Sequence, residues 1–323
     1  MINKKLLKQK IFIAGHNGMV GSSLHRYFLK CGIKNIITAS KKKLNLLNTK
    51  ELEKFIKIKK PDIIINCAGR VGGILANSSY PVEFLNENIL IQLNLINISY
   101  KFKIKHFINL GSSCIYPRDF KRSIKETDLL SSSLEKTNEA YALAKIIGLK
   151  ACEYYNKQYK TNYITLMPCN LYGPQDNFDE KNSHFIPALI QKFVESKFSK
   201  KNFVEIWGSG RPKREIMHVD DLAGAIYFIL NKKISNHKNL FKIIKKTSVI
   251  NVGSGKDFSI KKFAQIINYL TGANKNLKFN KKYPDGTMRK ILDSSLIKSL
   301  GWKPSIDVTQ GLSETIDWYK KNY

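Results

Sequence analysis

The chain has 323 residues, 43% of them hydrophobic, enough for one large α/β unit or two coupled domains and against disorder. Its formal net charge is +30, but the lysines are spread along the whole length among many Asn and Ile residues. That argues against a nucleic-acid partner and for a field that draws in anionic substrates.

No run approaches the ~18–20 consecutive apolar residues of a membrane span, so no membrane partner is expected. The basic stretch 1–10 lacks the apolar region and cleavage site of a secretion signal, which predicts a cytoplasmic protein. Residues 10–14 read as a short buried strand and 19–29 as a helix. A second strand follows at 35–39, a helix at 49–58 and a fully apolar strand at 62–66. A long helix near 83–102 leads to a strand at 106–110. A helix at 139–159 leads to a strand at 163–167. This alternation predicts an α/β fold, a Rossmann-type doubly wound parallel sheet.

After Pro168 loops rich in Asn, Pro and Gly separate shorter elements at 183–196, 203–207, 220–230, 248–252 and 259–270. The expected division is a cofactor-binding domain over 1–170, with segments around 219–252 returning to it. A smaller α/β substrate domain then takes most of 171–323. The Lys-rich stretch 231–246 reads as a solvated loop or helix edge. Five cysteines without a Cys-x-x-Cys pair predict free thiols and no metal site. Cys31, Cys67, Cys152 and Cys169 read as small buried residues.

Gly15-His16-Asn17-Gly18-Met19-Val20-Gly21 follows the first strand and opens a helix. Gly15 permits the tight turn, Gly18 lets the backbone approach a pyrophosphate, and Gly21 lets helix and strand pack closely. The helix N-terminus then faces the phosphates of a nicotinamide dinucleotide. After the second strand comes Ser40-Lys41-Lys42-Lys43 in place of the carboxylate that would hold a ribose 2′-OH. Lysines such as Lys41 attract a 2′-phosphate, so NADP(H) is the expected cofactor.

Leu110-Gly111-Ser112-Ser113-Cys114 follows the fourth strand, at the edge where such sheets bind ligands. Tyr141 and Lys145 lie four apart on one helix face. A nearby ammonium would lower the phenol pKa from its usual ~10, and Ser112 can hold a substrate carbonyl. The set is a hydride-transfer signature in which Tyr141 handles the proton. On residue type alone, Cys114 is a buried thiol and His184 a loop histidine.

Longer motifs carry a resemblance over nearly the whole chain. They are Phe12-Ile-Ala-Gly-His16, Leu44-Asn-Leu-Leu47, Val71-Gly-Gly-Ile74, Gly111-Ser-Ser-Cys-Ile-Tyr-Pro117 and Asn170-Leu-Tyr-Gly-Pro174. Asp176-Asn-Phe178, Asn182-Ser-His184, Trp207-Gly-Ser-Gly210, His218-Val-Asp-Asp221 and Pro284-Asp-Gly286 continue it. The chain resembles the extended short-chain dehydrogenase/reductases, in the branch that epimerises and reduces GDP-4-keto-6-deoxy-mannose.

The resemblance implies that Cys114 is a base and His184 an acid for epimerisation. Reduction by NADPH with Tyr141 and Lys145 would follow. It places Leu110 to Ser113, Pro168, Cys169, Asn170, Leu171 and His184 at the nicotinamide, and Lys192, Trp207, Arg214 and Asp285 at the GDP-sugar. A homodimer through the helices near 83–102 and 139–159 is also implied. A sibling enzyme on a related GDP-4-keto-deoxysugar, such as that of colitose, would share nearly every motif. Another nucleotide-sugar epimerase or dehydratase is the more distant alternative. Asn17 stands where the family often has Arg, and Cys169 where it often has Thr.

Overall fold

Ile11–Ala14 and Ile63–Asn66 are buried along their whole length, as strands covered on both faces must be. The computed structural model describes residues 4–118, 120–179, 183–283 and 285–323. Asn182 and Pro284, members of two of the motifs above, lie outside the described residues. From the N-terminus the order is α1 (Lys4–Leu7), β1 (Ile11–Ala14), α2 (Met19–Lys30), β2 (Ile36–Ile37), α3 (Thr49–Lys59) and β3 (Ile63–Asn66). Next come α4 (Ile74–Ser79), α5 (Pro81–Lys101), β4 (His106–Leu110), α6 (Glu139–Tyr159), β5 (Ile164–Pro168) and β6 (Asn170–Tyr172).

The second half holds α7 (Phe185–Ser196), β7 (Phe203–Trp207), β8 (Lys213–His218), α8 (Val219–Ile234), α9 (Lys238–Thr247) and β9 (Val249–Val252). It ends with β10 (Asp257–Ser259), α10 (Ile260–Thr271), β11 (Asn276–Asn280), β12 (Arg289–Lys290), α11 (Ser295–Ser299) and α12 (Val308–Asn322). No helix among the described residues is long and apolar enough to cross a membrane.

The fold is the expected Rossmann-type α/β architecture. Six strands form one sheet in the order β2-β1-β3-β4-β5-β9, with every pairing parallel. The chain reverses direction across the sheet between β1 and β3, so a crevice opens at their carboxyl ends. Helix α8 buries Leu222, Ala223, Ile226 and Ile229 in the same core as β1, β4, β5 and β9.

A second core joins Tyr172, Ile190, Phe193, Ile216, Phe263 and Leu312. There β8 pairs with β10 and β12 along its first half and with β6 along its second, while β7 pairs with β11. The buried carboxylate of Glu215 ties the two regions. It accepts hydrogen bonds from Gly255 N at 2.6 Å, just past β9, and from Leu292 N at 2.8 Å.

Two expectations are corrected. The second strand shortens from 35–39 to Ile36–Ile37, because it is an edge strand held only by β1 and the chain then turns at Ser40–Lys43. The stretch 231–246 is not a solvated loop. It ends α8 and forms α9, whose Leu240 and Ile244 are buried one turn apart. Lys233, on α8, is wholly buried and donates to the Asn162 carbonyl. The lysine excess concealed that amphipathic pattern.

The cysteines are free, but Cys31 and Cys67 are only half-buried. Cys31 caps the end of α2, and Cys67 lines a cavity described below.

Candidate active site

A cavity of about 380 Å³ opens at the β1/β3 reversal, lined by Gly15, His16, Asn17 and Gly18 after β1 and by Cys67, Ala68, Gly69 and Arg70 after β3. Ser40, Lys41 and Asn45 form its far wall. Gly15 has φ +81°, and a methyl there would stand 2.6 Å from Ala68 N. A methyl on Gly21 would overlap the Gly15 carbonyl. Both positions therefore require glycine.

Gly18 caps α2 without a side-chain hydrogen bond, so the first-turn N–H groups of Met19 and Val20 are left for a ligand to satisfy. His16 Nδ1 is buried at this loop without a partner. An orphaned polar atom and an uncapped helix start beside a cavity fit a dinucleotide pyrophosphate.

At the carboxyl end of β4 the chain turns through Ser112 into Ser113–Ile115. Helix α6 brings Tyr141 and Lys145 against this turn. Lys145 Nζ donates to the Leu110 carbonyl at 3.0 Å and lies 5.6 Å from the Tyr141 ring centre. The edge of the Tyr141 ring meets Phe84, with centres 6.1 Å apart. Burial pushes the Lys145 ammonium down to about 8, partly offset by Cys114 and Cys67.

Burial also pushes the Tyr141 phenol well up, with Cys114 adding to the effect and Ser112 opposing it. The expectation that Lys145 lowers the phenol pKa is thus reversed in the protein alone. Desolvation outweighs a cation already engaged with a backbone carbonyl.

Cys114 is buried on this turn. Desolvation pushes its thiol up, while Lys290, Ser112 and Lys145 pull it down. The electropositive surroundings expected for a reactive thiol are present, yet burial outweighs them here.

His184 stands at the N-terminal cap of α7. Desolvation lowers the pKa of its imidazole. No hydrogen bond joins His184 to Cys114 among the described residues. Pro168 ends β5, Cys169 N donates to Val252 O, Asn170 reaches the Glu215 carbonyl, and Leu171 lies in β6.

The four candidate substrate residues gather around the end of β7. Lys192 Nζ sits 4.9 Å from the Trp207 ring centre and donates to Glu205 O at 3.3 Å. Trp207 is 57% exposed and stacks on Tyr283 with centres 4.3 Å apart. Arg214 donates to the Lys213 and Thr287 carbonyls, and burial lowers its pKa against the pull of Asp285. Asp285 accepts from Ser209 N at 2.8 Å and Ser209 Oγ at 2.6 Å, so it shapes the turn after Trp207 as well as facing the site.

Sequence reasoning missed three contributors. Lys290 pairs in register with Arg214 and is the cation acting most strongly on Cys114. Tyr283 supplies half of the Trp207 stack.

A buried amide chain supports the catalytic helix from beneath. Asn66 donates to Asn109, Asn109 donates to Gln92, and Gln92 donates to the Ala144 carbonyl at 3.0 Å, one residue before Lys145. Buried amides directly after or within apolar strands were the available signal.

A glycine turn for a dinucleotide and a Ser/Tyr/Lys set at one sheet edge define an NAD(P)-dependent oxidoreductase class. The chain belongs to the NAD dependent epimerase/dehydratase family, whose model matches residues 11–253. It is 42% identical to GDP-L-fucose synthase 1 of Arabidopsis thaliana, covering 97% of this chain and 94% of that protein. It is 40% identical to GDP-L-colitose synthase of Yersinia pseudotuberculosis, over 96% of this chain and 97% of the relative. Among solved structures it resembles a GDP-mannoheptose C4 reductase from Campylobacter jejuni with NADP bound. That match has a TM-score of 0.86 and 35% identity, covering 97% of this chain and 99% of the other.

Proposed function

We propose that this enzyme converts GDP-4-keto-6-deoxy-mannose to GDP-L-fucose by epimerisation at C3 and C5 followed by NADPH-dependent reduction at C4. The observation that carries this reading is a buried thiol, Cys114, on the turn after β4 against which α6 sets Tyr141 and Lys145. A plain reductase needs only the latter pair. The relatives named above support the GDP-sugar.

The 4-keto group makes the C3 and C5 protons acidic. Cys114 takes a proton from one face, helped by the Lys290 and Lys145 charges, and His184 returns one on the other. NADPH, when bound, supplies the hydride that C4 receives. Tyr141 donates the proton to the C4 oxygen, and its burial keeps the phenol protonated until that step. Ser112 holds the carbonyl oxygen.

Gly15 to Gly21 and Lys41 hold the cofactor, with Leu110 to Ser113, Pro168 to Leu171 and His184 around its reactive ring. Lys192 and Arg214 hold the diphosphate. Trp207 offers a ring face, and Asp285 offers lone pairs to a hydroxyl. Residues 1–170 with 219–252 serve the cofactor, and most of 171–323 serves the sugar nucleotide.

Incubation with GDP-4-keto-6-deoxy-mannose and NADPH is expected to oxidise the cofactor and yield GDP-L-fucose by product analysis. Faster turnover of the 3-deoxy analogue would move the assignment to the colitose-type sibling. Sugar conversion without net NADPH consumption would reduce it to an epimerase or dehydratase. The reduction rate should fall above about pH 8, because Lys145 carries its charge below that value and loses it above.

The protein pairs as a homodimer through α5 and α6, where Leu90, Leu143, Ile147 and Tyr154 are exposed along adjoining helix faces. Light scattering should give twice 37.0 kDa, and a monomer mass would end that assignment.

A further inference from the structure

The catalytic groups lie at the carboxyl ends of the strands. At the opposite edge, where β1, β4 and β5 begin, a second cleft of about 670 Å³ is present. Its size lies within the range of small-molecule sites. Six lysines line it, Lys5, Lys8, Lys103, Lys105, Lys160 and Lys233, and no acidic residue does.

The chain-wide lysine excess does not by itself account for a lining without carboxylates, although Asp62 acts on His106 from nearby. Neutralising nearby helix ends explains only part of it. Lys233 donates to the Asn162 carbonyl and Lys160 to that of Lys157, at the end of α6. Lys8, Lys103 and Lys105 are exposed, and their ammonium groups make no hydrogen bond or ion pair among the described residues.

The same cleft carries an aromatic platform. The rings of Tyr100 and Tyr159 stack with centres 4.3 Å apart, and the residues are 40% and 43% exposed. His106, the first residue of β4, also lines the cleft, and its Nδ1 is buried without a hydrogen-bond partner.

We propose that this cleft is a second nucleotide-binding site, with the phosphates held by Lys8, Lys103 and Lys105 and the base against Tyr100 and Tyr159. Unpaired ammonium groups beside an exposed ring face are the combination that phosphate-bearing bases require. The limited volume of the cleft, about 670 Å³, favours a free nucleotide over an extended nucleic-acid strand. The site lies across the sheet from the catalytic one.

The test is equilibrium dialysis of radiolabelled ADP against the full-length protein saturated with NADPH and GDP, which occupy the two nucleotide sites proposed above. One further ADP per chain is expected. The double variant Lys103→Glu/Lys105→Glu should weaken it by about tenfold or more, with turnover unchanged and circular dichroism matching the parent. Tyr159→Ala should weaken ADP while sparing inorganic pyrophosphate.

ADP binding that survives the double variant would overturn the proposal, because such ADP is not held by the cleft lysines. So would the absence of any further ADP. Tight RNA binding with steep salt dependence and no ADP would overturn it in favour of a nucleic-acid surface.

Discussion

Tyr141→Phe slows C4 reduction by about 10²- to 10⁴-fold, the usual contribution of a positioned general acid, while deuterium still enters C3 and C5 in heavy water. The substitution removes one hydroxyl and leaves the ring against Phe84. The pocket therefore keeps its shape, and the Lys290 and Lys145 charges that act on Cys114 stay in place. The measurement is NADPH oxidation beside mass-spectrometric exchange on the recovered sugar. If exchange disappears together with reduction, Tyr141 supports the pocket and does not donate the proton.

Cys114→Ser is expected to do the reverse. Exchange falls by about 10²- to 10⁴-fold, and any sugar reduced carries unaltered C3 and C5. A hydroxyl is a much weaker acid than a thiol, and burial among apolar neighbours weakens it further. Exchange at the parental rate would remove Cys114 from the mechanism.

A companion variant addresses how a buried thiol ionises at all. Lys290→Met removes the cation that pulls Cys114 down most. The pH profile of Cys114 alkylation should then move to higher pH, with no substrate present. An unmoved profile would separate Lys290 from the thiol.

The proposed reductive half of the site was legible because its signals are local. A glycine turn after β1 and a Tyr and Lys one helical turn apart are patterns within a few residues. The proposed epimerising half was not. Cys114 and His184 come from different elements, and only resemblance joined them.

Lys290 was invisible for another reason. It is one of 55 Lys and Arg residues, and its importance arises from the β12–β8 register that sets it beside Arg214. The amide chain from Asn66 to Gln92 was hidden among many Asn residues. Helix α9 was lost in lysines that solvate one face while Leu240 and Ile244 bury the other. Strand β2 was read too long because apolar content marks a strand but not where an edge strand peels away.

The pairing of β5 with β9 sets Thr165 against Val249, across more than eighty intervening residues. During synthesis the first five strands can emerge and pair while the outer edge of β5 stays open. That edge displays unpaired N–H and C=O groups until the intervening chain has left the ribosome. Closing so long a loop has an entropic cost that precedes its reward, so the sheet completes late and slowly. The polypeptide that later braces the catalytic pocket also determines how long its scaffold is exposed to aggregation.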